Sequence, residues 1–311
     1  MSPGLPPTLA YQVVDVFTGL AYAGNPLAVV LDADLLTTEQ LQALAREFNL
    51  SETAFPLVAT DGADYRLRIF TPAVELPFAG HPSIGAAWLL QQLGRLPDGA
   101  AVQSCGAGLL EVTVTADGAT LTGGAPSWGD GLDPAPLLSA VGLAADDLVG
   151  VAPRWCGAGL DFGYLLVRPD ALARARPDLV RLEALGGAGV CVTAWDGASA
   201  RSRVFVGGVG VAEDPATGSA ALGLGVLLAV NGLVPDGSTA YDVVQGGEMG
   251  RPSLLSCTVD VAAGRPVRTT VRGEVVPVAR GEIRVPPVPP APPAPPAARV
   301  TPGPRPIPGR S

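Results

Sequence analysis

The chain has 311 residues, 48% of them hydrophobic and 16% charged, enough to build a substantial core in one large domain or two of ordinary size. A formal net charge of -9 without a basic run argues against a nucleic-acid partner, which needs clustered Lys and Arg to neutralise phosphates. Lysine is absent and histidine occurs once, which excludes a lysine Schiff base and a His-rich metal site.

Residues 1–10, with three prolines, read as a loose leader without a basic n-region. Tyr11 to Phe17 alternates as a strand, Gly24-Asn25-Pro26 turns, and Leu27 to Leu31 is a second, wholly apolar strand, which puts Asn25 in a hairpin loop. Thr37 and Gln40 form a capping box ahead of Leu41, Leu44, Ala45 and Phe48, and the spacing predicts a helix over 38–48. Leu50 to Phe55 is a strand in which Glu52 is either a solvent-facing residue or a carboxylate aimed into a cleft. Tyr65 to Phe70 alternates as another strand.

The stretch Glu75-Leu76-Pro77-Phe78-Ala79-Gly80-His81-Pro82-Ser83-Ile84-Gly85 then carries the single histidine. Pro82 has no N–H and a fixed φ, which suits a first helical turn, so Gly80 and His81 mark a helix N-terminus with free amides. The run to Leu93 has almost no polar face, which predicts a helix buried on all sides. Strands follow near 100–104, 109–115 and 119–122, and Gly123 to Pro126 is a boundary.

The second half repeats this plan, with short helices near 134–141 and 170–175 and strands at 164–167, 189–193 and 202–206. Glu213-Asp214-Pro215-Ala216-Thr217-Gly218-Ser219 then echoes the first key stretch and enters an apolar run to Val230 that stops at Asn231-Gly232. Strands near 241–245, 254–261, 267–276 and 281–285 complete it. Residues 286–311 hold twelve of the 32 prolines and read as a disordered polyproline-type tail. The four cysteines (Cys105, Cys156, Cys191, Cys257) lack Cys-x-x-Cys spacing, which fits a reducing compartment. The longest apolar run falls short of the roughly 18 residues a membrane span needs. These features predict a cytoplasmic protein with no membrane partner.

A lone histidine before a helix is more often structural than catalytic, and Asp214 before Pro215 could simply cap a helix. Neither explanation says why both buried helices begin alike. Two such helices pointing at one cleft would bind a carboxylate on their amides, with His81 and Asp214 on its rim. Gly207-Gly208-Val209-Gly210 lacks the strand-to-helix context of a dinucleotide site, and no P-loop or Gly-x-Ser-x-Gly pattern occurs.

Six stretches in order carry a resemblance: Asp15-Val16-Phe17, Gly24 to Val29, Ala45 to Phe55, Arg68-Ile69-Phe70-Thr71-Pro72, Glu75 to Pro82 and Glu213 to Ala221, with Gln245 to Ser253 as a late addition. Over about 11–285 the chain resembles the PhzF family of phenazine-biosynthesis-like isomerases. The resemblance implies an α+β fold like that of diaminopimelate epimerase: two pseudo-symmetric, strand-rich, barrel-like halves, each wrapped on a central helix, here 11–125 and 126–285. It implies isomerisation of trans-2,3-dihydro-3-hydroxyanthranilate, or of another small cyclic or unsaturated carboxylic acid in secondary metabolism such as phenazine or antibiotic biosynthesis. No cofactor and no metal would take part, and the enzyme would be a homodimer. Glu52 would relay the proton, with His81 and Asp214 assisting, and Asn25, Ser51, Gly80, Thr217, Gly218 and Ser219 would bind substrate. None of the cysteines lies in a helix-start stretch, which disfavours a two-thiol racemase. The rivals are an epimerase using Glu52 and Asp214, and a non-catalytic ligand-binding relative. The glycines at 207–210 replace a proline-containing loop common in relatives.

Overall fold

The computed structural model describes residues 7–207 and 212–287, and its elements follow the apolar periodicity. In the first half, β1 (Thr8–Val16) and β2 (Asn25–Val30) lead to α1 (Thr38–Phe48), β3 (Glu52–Leu57), β4 (Tyr65–Phe70) and β5 (Glu75–Leu76). Next come α2 (Gly80–Gln92), β6 (Gly99–Cys105), β7 (Gly108–Thr115), β8 (Gly118–Thr122) and β9 (Ser127–Trp128). The second half runs through α3 (Pro134–Val141), β10 (Arg154–Gly157), β11 (Asp161–Leu166), α4 (Pro169–Arg174), α5 (Leu179–Leu185), β12 (Val190–Trp195), β13 (Ser199–Phe205) and β14 (Glu213–Asp214). It closes with α6 (Gly218–Val230), β15 (Gly237–Gln245), β16 (Ser253–Ala262) and β17 (Arg265–Arg284).

Pairing shows the two halves to be copies of one plan. Antiparallel β1–β2 and parallel β2–β3 match antiparallel β10–β11 and parallel β11–β12. The antiparallel β4–β5 pair and the parallel β4–β6 pair match β13–β14 and β13–β15. Register then equates individual residues: Glu75 and Glu213 face Phe70 and Phe205, and Leu76 and Asp214 come next. The fold is α+β, a mixed sheet closed around two central helices.

Both central helices are buried because neither has a polar face. Every residue from Gly218 to Ala229 of α6 is buried, as is every residue from Gly80 to Leu90 of α2. Each fully buried Leu, Ile or Val there contributes about 1.5–3 kcal/mol relative to exposure. Gly223 and Gly225 make room on α6 for Tyr164 and Tyr241, whose hydroxyls donate to the Ala220 and Ala221 carbonyls at 2.6 and 2.7 Å. A Cβ at either glycine would collide with those phenols. The capping box of α1 is present, and Leu41, Leu44 and Ala45 pack outside the sheet on Phe55 and Phe70. In the other half α3, α4 and α5 cover the outer face of β11 and β12 in the same way.

Three expected boundaries change. Thr8 to Ala10, assigned above to a leader, belong to β1 and pair with Arg284 to Glu282. The strands expected at 267–276 and 281–285 are one strand, β17, which pairs with β16 through 265–272 and with β1 through 275–284. A division at 125/126 therefore does not describe β17, whose end completes the sheet of the first half. Pro286, expected in the tail, accepts a hydrogen bond from the Gln40 amide at 2.7 Å. The remainder of that tail from residue 288, leader residues 1–6 and glycine-run residues 208–210 lie outside the described residues.

Candidate active site

The two central helices meet tip to tip. A Cβ on Gly80 would lie 3.1 Å from Gly218 Cα and from the Ser219 nitrogen, so glycine is what lets the tips approach. Neither helix has a side-chain cap, whereas α1, α3 and α5 all do. Their first-turn amides are left for a ligand, and both dipoles favour an anion at the same point.

A cavity of about 470 Å³ opens beside these tips. Glu52, His81 and Asp214, far apart in the chain, all line it, together with Ser51, Gly80, Thr217, Gly218 and Ser219 from the expected binding set. Of the two readings of Glu52, the cleft-facing one holds, with the side chain only 15% exposed. Asn25 differs from expectation: it is the first residue of β2, not part of a loop, and sits fully buried beneath the cavity.

From there Asn25 ties the halves together. Its Nδ2 donates to Asp214 Oδ1 and to the Ala216 carbonyl, both at 2.9 Å, which fixes the amide nitrogen on that side. The same nitrogen lies 3.3 Å from His81 Nδ1, and because an amide nitrogen accepts no proton, the tautomer that fits has Nδ1 unprotonated. The proton of the neutral imidazole is then on Nε2, which points at Glu52 Oε2 3.6 Å away. That is a contact and not yet a hydrogen bond. His81 Nε2 and Glu52 Oε2 are both buried without a partner, two polar atoms left for something that enters the cavity.

Burial sets the charges. It lowers the His81 imidazolium to about 3, so the ring is neutral. It raises the Glu52 carboxyl well above the usual carboxylate range, and the neighbouring Asp214 adds to the rise. The Asp214 carboxyl is pushed up to about 6 by burial, with Thr217, Asn25 and Ser51 acting in the opposite direction. Two carboxyls whose hold on a proton is raised, beside a neutral imidazole, can take up and give back protons.

The sequence reading missed two parts of the site. Gln245 was noted within a matching stretch but given no role, although it follows Tyr241 and Val243 on the inward face of β15. The far wall of the cavity, from Gly159 to Phe162 and at Ala188 and Val206, is largely apolar and comes from the bend before β11, the start of β11 and residues flanking strands, none of which carries a motif. Asp161 is its one charged residue, held by the Ser127 hydroxyl at 2.6 Å. Among the described residues lining the cavity there is no arginine, which leaves anion binding to the helix amides.

Comparison with known proteins gives the family. The family model for phenazine biosynthesis-like proteins matches residues 14–281. The chain is 35% identical to trans-2,3-dihydro-3-hydroxyanthranilate isomerase of Pseudomonas fluorescens, over 88% of this chain and 98% of that one. Identity to the Pseudomonas aeruginosa protein of the same name is also 35%, over 87% and 98%. A phenazine biosynthesis protein of the PhzF family from Bacillus anthracis superposes with a TM-score of 0.80 at 26% identity, covering 89% of this chain and 99% of that one. A predicted epimerase from Pseudomonas aeruginosa gives 0.76 at 35% identity, covering 88% and 99%. A hydroxyproline epimerase from Agrobacterium vitis, at 14% identity and a TM-score of 0.64 over 90% and 93% of the two chains, shares the fold alone. With a family model spanning most of its length and relatives at this identity, the chain belongs to the phenazine-biosynthesis-like, or PhzF, family of isomerases.

Proposed function

We propose that the chain moves a proton within a small cyclic or unsaturated carboxylic acid of the dihydrohydroxyanthranilate type, without a cofactor. The observation that carries this reading is the meeting of Glu52, His81 and Asp214 at two uncapped helix tips in one cavity. The substrate carboxylate rests on the amides of Gly80, His81, Gly218 and Ser219. Thr217 and Ser51 hold neighbouring polar substituents, and Asn25 acts beneath them by fixing His81 and Asp214.

Glu52, as the carboxylate, takes a proton from a ring carbon. The electrons of that C–H bond become a new C=C, the existing C=C shifts, and its far carbon receives the proton back from Glu52 on the same face. One C–H bond breaks and one forms, and no electrons leave the substrate, so the step needs no redox partner. His81 Nε2–H donates to an oxygen or nitrogen substituent as charge develops, and Asp214 exchanges protons with that substituent.

Supporting a reducing, intracellular setting, the four cysteines are free. No helix among the described residues is long and apolar enough to cross a membrane. Assembly as a homodimer is expected from the family and is read by sedimentation. The test of the reaction is incubation with trans-2,3-dihydro-3-hydroxyanthranilate in deuterium oxide, followed by absorbance and by mass and proton spectra. A moved double bond carrying partial label at the receiving carbon is the expected result. Unchanged skeleton with label at one stereocentre would instead identify an epimerase, and binding without any exchange a ligand-binding relative.

A further inference from the structure

Gln245 ends β15 with its side chain in the core, only 3% exposed, and both of its polar atoms are engaged. Oε1 accepts the Thr217 backbone N–H at 3.1 Å. Nε2 donates to the Asp214 backbone carbonyl at 2.7 Å and to the Thr217 hydroxyl at 3.1 Å. An amide nitrogen has protons to give and cannot accept one, so toward Gln245 the Thr217 oxygen can only accept. Its own single proton is then directed to Asp214 Oδ2, 2.7 Å away, its one acceptor among the described residues. With Asn25 donating to Oδ1, both oxygens of Asp214 face donors, an arrangement that favours the carboxylate. Protonating Oδ2 toward Thr217 would leave the hydroxyl proton without an acceptor.

We propose that Gln245 is a positioning residue of the site: by holding the Thr217 oxygen it aims the hydroxyl proton at Asp214 and keeps that carboxyl readily ionised beside Glu52. The inference rests on the reading that Asp214 exchanges protons during turnover. Other titratable groups around Asp214 are accounted for. Glu52 from β3 and His81 from α2 share its cavity. Glu213, next to it on β14, is paired with Arg203 of β13, and Asp161 of β11 across the cavity is bound to Ser127. Burial pushes Asp214 upward and Thr217 acts against that push, which is the role the oriented hydroxyl supplies.

The experiment needs no substrate. Protein labelled with ¹³C at the aspartate carboxyls is titrated by NMR, with Asp214→Asn used to assign the resonance. Gln245→Met, Thr217→Val and the double variant are compared with the natural protein. Each single substitution should raise the Asp214 midpoint by about one pH unit, and the double no further, because both act through one hydroxyl. Gln245→Glu keeps an acceptor for the Thr217 N–H but draws the hydroxyl proton to itself. It should move the midpoint in the same direction, and it serves if the methionine variant does not fold. An unmoved midpoint in the folded Gln245 variants, or fully additive shifts in the double, would overturn the proposal. Turnover against pH is then measured on the same proteins. An Asp214 midpoint that moves while the acid limb of kcat/KM stays in place would uphold the role of Gln245 and remove Asp214 from proton transfer.

Discussion

The two half-sites are built on the same backbone positions and carry different chemistry. Register equates Leu76 with Asp214, Ala79 with Thr217, and Gly80 with Gly218. The same counting equates His81 with Ser219, Glu52 with Gly189, and Asn25 with Leu160. Each half thus supplies one helix tip, but the first adds a glutamate, an imidazole and an amide, and the second an aspartate with its hydroxyl and Gln245. Even the support is copied. Arg68 pairs with Glu75 and lies over Phe70, as Arg203 pairs with Glu213 and lies over Phe205. A symmetric scaffold therefore brings an amide-rich floor from both sides, while direction for a proton comes only from what differs. In the proposed reaction, a substrate held on such a floor meets Glu52 on one side and Asp214 on the other.

The largest effect expected from that asymmetry is at Glu52, whose counterpart Gly189 cannot carry a proton. Glu52→Gln should lower kcat by about 10²–10⁴-fold while ligand binding, read by calorimetry, persists. Turnover at the natural rate would remove Glu52 from the reaction. Next come the paired supports. Arg203 is 7% exposed and also donates to the Leu172 and Ala175 carbonyls, so Glu213→Ala should cost about 3 kcal/mol in urea unfolding. The more exposed Glu75→Ala should cost less than about 1 kcal/mol, and equal losses would deny that the second support is the more buried.

Gly80→Ala should destabilise by about 1–3 kcal/mol, because its new methyl meets the backbone of Gly218 and Ser219. Gly218→Ala should cost less, since the nearest atom is on the Phe17 ring, a side chain that can tilt. Thermal unfolding of the two variants orders them. The smallest effects are pH slopes of opposite sign. Between about pH 3 and 6.5 the unfolded chain takes up a proton at His81 that the folded chain refuses, so this group makes stability rise with pH. Asp214, at about 6 against an ordinary 3.8, holds a proton in the folded chain that the unfolded one has released. Over that window it makes stability fall with pH. Relative to the natural protein, His81→Asn should therefore gain in melting temperature as pH falls from 6.5, and Asp214→Asn as pH rises from 4 to 6. Slopes of the same sign in the two variants would contradict the assigned charge states.

Much of this was legible in the residue order because it is local. Thr37 and Gln40 announce α1 by a capping box that needs no tertiary partner, and the missing polar face of 80–92 and 218–230 announces burial. The echo of Glu75 to Gly80 in Glu213 to Gly218 predicts the meeting of two helix starts. What was not legible depends on partners distant in sequence. Strand alternation around Glu52 does not say which face borders a cavity. The role of Gln245 exists only because β15 lies parallel to β13 and brings it to the turn before α6. Asn25 reads as a loop residue because Gly24 and Pro26 flank it, yet its pairing with Val16 makes it the first rung of β2.

The passage of β17 from one half to the other has a consequence for how the molecule is made. During synthesis β1 emerges before the other elements of the fold, and the strand that covers its second edge, 275–284, emerges after them. Until then that edge stays open, and Ile283 and Val285 are missing from the packing around Leu9, Val30 and Leu41. The first half thus waits on the ribosome until β17 has been made, and neither half can finish maturing ahead of the other.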